Sequence, residues 1–130
     1  MKIKFETARF GPVEVDDSKM INFPEGIPGF SALKRYIIMD YRDTGLKWLQ
    51  SADDPAVAFI VGLPETVAPG FEANVDDAAI RILGIEKKDD LAVLLILRVE
   101  AGRLIVNTRA PLLLNAALMR GMQLLPERIY

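Results

Sequence analysis

Apolar and polar residues alternate through the first quarter of the chain. Ile3 and Phe5 stand between Lys2, Lys4 and Glu6, Val13 and Val15 flank Glu14, and Ile21 and Phe23 flank Asn22. A period of two puts every second side chain on one face, which is the mark of half-buried strands. Gly11-Pro12 and Asp16-Asp17-Ser18 interrupt the runs, so the pattern predicts short antiparallel strands joined by tight turns. The stretch Pro24-Glu25-Gly26-Ile27-Pro28-Gly29-Phe30 holds prolines and glycines that suit neither a helix interior nor a central strand, and is expected as a shaped loop.

Apolar runs at 36–39, 46–49 and 58–61, separated by turn-rich 40–45 and by Asp53-Asp54-Pro55, are further expected strands. Between 76 and 85 the period changes. Asp76 is a suitable N-cap, and Ala79, Ile80 and Leu83 recur at three- and four-residue spacing, which predicts one short helix. The segment from Pro64 to Val75 reads as irregular. Residues 91–99 are apolar on both faces, as in a strand covered from both sides, and Ala101-Gly102 turns them into a partner at 104–106. In the tail, 112–114 and 122–125 have strand character and 115–120 holds good helix formers, with Gly121 against one long helix. Eight or more short strands, one or two short helices and no strand–helix rhythm predict a mainly β, small antiparallel barrel or sandwich. With 130 residues and no repeat or linker, one domain over 1–130 is expected.

Composition changes the picture mainly by removal. The chain has no cysteine, hence no disulfide, and no histidine, the commonest general base and a common metal ligand. Nothing near Met1 resembles a secretory signal, so the cytoplasm is the expected location. The longest apolar run, 91–97, is far short of the about 20 residues that span a bilayer, so no membrane role is expected. A formal net charge of −2 and a pI near 5.2 give no positive field for nucleic acid, so no direct nucleic-acid partner is expected.

Four Asp-Asp pairs, Asp16-Asp17, Asp53-Asp54, Asp76-Asp77 and Asp89-Asp90, could be taken for the start of a cation site. The alternating ligands and central glycine of an EF-hand are missing, and neighbours on a strand face opposite ways. Each pair sits where a turn or cap is expected, so neither a metal nor any other cofactor is expected. Ser18, Ser31 and Ser51 lack the Ser-x-x-Lys and Gly-x-Ser-x-Gly settings that activate serine, and no histidine is present to act as base. An enzyme is therefore not expected. The glycines at 26 and 29 lack the spacing of a phosphate loop. Trp48 and Phe71 are the aromatics whose burial is in question, Phe71 because it lies in the irregular stretch, and an exposed Phe71 near Glu72, Asp76 and Asp77 would make a protein-binding patch.

An ordered set of short motifs runs through the chain: Phe23-Pro24-Glu25-Gly26-Ile27-Pro28-Gly29-Phe30, Leu49-Gln50-Ser51, Ala58-Phe59, Asn107-Thr108-Arg109-Ala110-Pro111, Asn115 and Gly121-Met122-Gln123. Taken in order, the set resembles the flagellar assembly factor FliW family over almost the whole chain. Trp48 departs from it, standing where another aromatic or apolar residue is frequent, and some relatives continue beyond the position of Tyr130. The resemblance implies a small β-barrel-like protein that binds newly made flagellin in the cytoplasm. It also implies that, when free of flagellin, the protein binds the translational repressor CsrA and antagonises it allosterically, relieving repression of flagellin synthesis.

Within the motifs, Phe23, Gly26, Pro28, Gly29, Phe30, Gln50, Ser51, Asn107, Ala110, Pro111, Asn115 and Gln123 are read as determinants of the fold rather than of contact. The contact residues are placed instead at Phe71, Glu72, Asp76 and Asp77, in the irregular acidic stretch. A monomer in isolation is expected. The alternatives are another protein-interaction module, or a small-ligand carrier using the barrel interior. Bulky inward candidates, Phe23, Ile38, Phe59, Leu95 and Ile105, weigh against the carrier.

Overall fold

The N-terminal alternation builds a hairpin. In the structure, a computed structural model that describes residues 1–125, β1 (Lys2–Thr7) and β2 (Gly11–Asp16) pair antiparallel from Lys2↔Asp16 to Thr7↔Gly11 as a separate two-stranded sheet. A lone hairpin is marginal in water, and this one is tied down at its tip. Ala8 N donates to Pro55 O at 2.8 Å, the Arg9 guanidinium lies 4.1 Å over the Trp48 ring, and Phe10 meets that ring edge-on at 6.3 Å. A 3-10 turn, Asp17–Lys19, follows, with the Asp16 carboxylate accepting from Ser18 N.

The remaining strands are β3 (Ile21–Asn22), β4 (Arg35–Asp40), β5 (Lys47–Ser51), β6 (Ala58–Gly62), β7 (Leu91–Glu100), β8 (Arg103–Asn115) and β9 (Arg120–Gln123). They close into a barrel in sequence order, antiparallel throughout except where β3 meets β9 in parallel at Asn22↔Arg120. The mainly β, barrel-like architecture expected from the sequence is the one that forms, with two short helices. Ile21, Phe23, Tyr36, Leu49, Leu94 and Leu112 fill the interior, and Phe23 and Tyr36 meet edge to face at 5.1 Å. Each such side chain contributes roughly 1.5–3 kcal/mol by leaving water. The large side chains in the interior weigh against a small-ligand carrier, as their bulk in the sequence suggests.

Polar side chains hold the ends of the strands. Gln50 Nε2 donates to Ser51 O at 2.9 Å and Val57 O at 3.2 Å, and Ser51 Oγ accepts from the N–H groups of Asp53 and Asp54. Asp53 departs from the turn role expected of it. Its carboxylate accepts from Lys34 N and Arg35 N at 3.0 Å and pairs with the Arg35 guanidinium at 2.8 Å, joining β4 to the end of β5.

Other expectations are corrected. Ile38 lies opposite Leu49 in the ladder yet is 38% exposed, because β3 stops pairing with β4 at Tyr36 and no strand among the described residues flanks Ile38 on that side. Residues 91–99 are covered on both faces only as far as Leu97, since β6 stops pairing there, and Val99 is 61% exposed. The separate strands at 104–106 and 112–114 are one strand, β8. The helix formers at 115–120 make a turn before β9, with Met119 at φ +53. Residues 126–130, the end of the expected domain, lie outside the described residues.

Candidate functional site

The segment read as irregular begins with a helical turn, α1 (Pro64–Val67), which has proline at its start, where no N–H is needed. It ends at Ala68, whose carbonyl accepts from Phe71 N at 3.0 Å across the Pro69-Gly70 turn. Residues 71–76 then run without regular structure to α2 (Asp77–Leu83). Asp76 caps α2, its Oδ1 accepting from Ala79 N at 2.8 Å, and Gly84 closes the helix in the left-handed conformation at φ +69. Ala79 and Leu83 of α2 pack on Leu113, among Val75, Leu91, Val93 and Met122, as a second cluster outside the barrel wall. Asn115 locks this packing: Nδ2 donates to Leu83 O at 2.8 Å, and Oδ1 accepts from Ala117 N and Leu118 N at 2.9 and 3.1 Å.

Across from this segment, β8 breaks its ladder with β7. Pairing runs to Leu94↔Leu112 and resumes at Ile96↔Asn107, so residues 108–111 of β8 stand against Leu95 alone. The excursion is held by one hydrogen bond of its own and two from the end of β9. Asn107 Oδ1 accepts from Arg109 N, Gln123 Nε2 donates to Ala110 O, and Leu124 N donates to Pro111 O. Pro111 has no N–H to leave unpaired, which suits a bulge, and bulges re-aim the side chains they carry.

Between the two elements lies an open groove of about 400 Å³, walled by Phe71, Glu72 and Asp76 on one side and by Thr108 and Arg109 on the other, with Pro111 and Leu124 also lining it. Phe71 is half-buried and also lines a neighbouring groove of about 400 Å³ with Leu63, Glu65 and Ala92, so it divides the two. Glu72, Asp76 and Arg109 take part in none of the ion pairs among the described residues. Three of the four sequence-predicted contact residues thus meet in one groove. Asp77, exposed at the first position of α2, does not line it. Thr108, Arg109 and Leu124 are not expected there from the sequence; the available signal is Pro111 directly before the apolar run 112–114, since proline beside a strand run marks a bulge or an edge. Among the described residues there is no group of three or more carboxylate, histidine or cysteine side chains suited to a metal ion. The groove offers shape, two carboxylates and one guanidinium, which is the equipment of recognition.

A family model described as FliW protein matches residues 4–128. The chain belongs to the FliW family. It is similar to the flagellar assembly factor FliW of Azoarcus sp. (strain BH72), at 36% identity over 136 residues, 98% of this chain and 93% of the relative. It is also similar to the flagellar assembly factor FliW of Alkaliphilus metalliredigens (strain QYMF), at 34% identity over 124 residues, 92% of this chain and 76% of the relative. A crystal structure of the flagellar assembly factor FliW matches it with a TM-score of 0.89 at 29% identity, over 98% of this chain and 91% of that one. FliW membership places the chain in flagellar assembly, in a non-enzymatic role. No helix among the described residues is long and apolar enough to cross a membrane.

The residues that carry the FliW resemblance lie mostly away from the groove. Phe23 is in the core, and Gly26 sits at φ +69 where a Cβ would come 2.6 Å from the Ser31 backbone. Gly29 is also left-handed, Pro28 is exposed, and Phe30 is on the surface, edge-on to Phe59 at 5.3 Å. Gln50, Ser51, Asn107, Asn115 and Gln123 make the backbone hydrogen bonds described above, and Ala110 is buried. Of the motif residues, Thr108, Arg109 and Pro111 line the groove.

Proposed function

We propose that this FliW-family chain binds newly made flagellin in the cytoplasm and, when free of flagellin, binds CsrA and antagonises it allosterically, relieving repression of flagellin synthesis. The groove beside the β8 bulge is the contact surface, with Phe71 as its apolar anchor, Glu72 and Asp76 as its acidic rim, and Asp77 as an exposed carboxylate just outside it. The observation that carries the reading is the convergence of Phe71, Glu72 and Asp76 on one groove, in a chain whose family is named for flagellar assembly. Partner exchange needs no chemistry: the ligand in excess sets how much antagonist is free, by mass action. An acidic rim suits the basic surface of an RNA-binding repressor, where charge complementarity raises the association rate and fixes orientation. The chain acts as a monomer in isolation, uses no cofactor and touches no nucleic acid directly.

Size-exclusion chromatography of the purified chain with each protein in turn tests this. Co-elution with flagellin and with CsrA is expected, and co-elution with neither overturns the assignment. The surface is tested by Glu72→Lys with Asp77→Lys, which leaves the capping Asp76 in place. CsrA binding should weaken and lose salt dependence, whereas unchanged affinity at two ionic strengths excludes this rim.

A further inference from the structure

Strand edges without a neighbour among the described residues include the β1–β2 hairpin, β4 beyond Tyr36, β7 beyond Leu97 and the distal part of β8. β9 pairs with β8 only from Leu112↔Gln123 to Asn115↔Arg120, while β7 accompanies β8 on its other side out to Glu100↔Arg103. The edges are built differently. β1 carries Lys2 and Lys4, and β2 carries Pro12, the charged and donorless residues that keep an edge from pairing. From 104 to 108 β8 reads Leu-Ile-Val-Asn-Thr, with neither lysine nor proline.

The direction of its free groups follows from the turn. Ala101 and Gly102 both have positive φ, +51 and +76, as a two-residue type I′ hairpin requires. Such a turn makes Glu100↔Arg103 a hydrogen-bonded pair, so by alternation the N–H and C=O of Leu104 and Val106 point away from β7. Leu104, 52% exposed, stands opposite the exposed Val99, an uncovered apolar pair on the same ribbon. The edge then runs through Thr108 into the groove, whose rim sets two carboxylates, Glu72 and Asp76, against the single guanidinium of Arg109.

We propose that the outer edge of β8, Leu104 to Thr108, accepts an extended basic segment of the partner protein as an added strand. An apolar side chain of that segment covers Val99 and Leu104, and a cationic one enters the groove against Glu72 and Asp76. Main-chain hydrogen bonds supply affinity and the groove supplies selectivity. The proposal rests on reading the groove as the partner-binding surface.

Amide hydrogen exchange of the chain, alone and with saturating CsrA or flagellin, tests it. The Leu104 and Val106 amides should slow on the order of tenfold or more when the strand partner is bound, as a new backbone hydrogen bond requires. Val106→Pro removes an outward N–H that the β7 ladder does not use and should weaken binding on the order of tenfold, while Val106→Thr, which keeps it, should bind as the native chain does. Should Val106→Pro not fold, the exchange result decides alone. Binding seen by calorimetry with both amides unchanged overturns strand addition and leaves the groove reading standing. Protection in the chain alone overturns it too: a rise with concentration marks a second copy, and loss on deleting residues 126–130 marks the chain's own end. Binding by neither protein removes the functional reading and this proposal with it.

Discussion

Asn115 joins the two elements that build the groove, and its removal has a calculable cost. The side chain is 2% exposed and makes contacts of 2.8 and 3.3 Å to the carbonyls of Leu83 and Gly84, and of 2.9 and 3.1 Å to the N–H groups of Ala117 and Leu118. Asn115→Ala leaves the buried Leu83 carbonyl without this donor, at about 1–3 kcal/mol, while the exposed Ala117 and Leu118 can recover water and add less. We expect about 2–4 kcal/mol in all, against the roughly 5–15 kcal/mol that stabilises a typical domain. The assay is urea unfolding followed by circular dichroism: the midpoint should fall with little change in slope, and Tm should drop on the order of 10 °C. Asn115→Asp keeps the acceptor, loses the donor and sets a negative charge against the Leu83 carbonyl, so it should cost at least as much. A loss below about 1 kcal/mol for the alanine variant would refute the claim that Asn115 ties α2 to the β8–β9 turn.

Three further outcomes follow from other sites. Gly121→Ala would bring a Cβ within 2.6 Å of Phe23 Cζ and 2.8 Å of Leu114 Cδ2. Overpacking of this kind costs about 1–3 kcal/mol in urea unfolding, and a neutral result would mean the Phe23 ring shifts freely. Burial, and behind it the charge of Asp53, pushes the Tyr36 hydroxyl pKa up to about 12, and its Oη has no protein partner among the described residues. Tyr36→Phe should therefore be neutral or stabilising by about 1 kcal/mol, and clear destabilisation would reveal a partner for the hydroxyl. Partial burial raises the Asp53 carboxyl pKa, but hydrogen bonds from Lys34 N, the Arg35 side chain and Arg35 N, with the Arg35 charge, outweigh it and hold the group below the usual range. A depressed folded value contributes stability above the unfolded value, about 3.9, that is lost as pH falls through the folded value. The stability gap between the native chain and Asp53→Asn should thus narrow below about pH 4 in urea unfolding, and a constant gap contradicts the ion pair.

How much of this was legible in the sequence depended on whether the information was local. Lys2 to Glu6 shows the β1–β2 hairpin because alternation and turn residues sit within one short segment. Asp76 reads as a helix cap for the same reason, since its partner, Ala79, is three residues on. The sequence pattern divides β8 in two because Asn107 to Pro111 resembles a break, whereas in the fold these residues close a bulge whose partners include Gln123 and Leu124, supplied by and just after another strand. Asp53 looked like turn chemistry because its partners, Lys34 and Arg35, are distant in sequence. Of the groove, the Phe71 to Asp76 wall could be found from acidity and irregularity, while Arg109 could not, because only the closed barrel brings β8 beside that segment.

The central claim is that flagellin and CsrA exclude one another on this chain. The direct test is a calorimetric titration of CsrA into the chain, with and without saturating flagellin. A binding isotherm is expected for the free chain and none for the chain already holding flagellin. An unchanged CsrA isotherm in the presence of bound flagellin would contradict it.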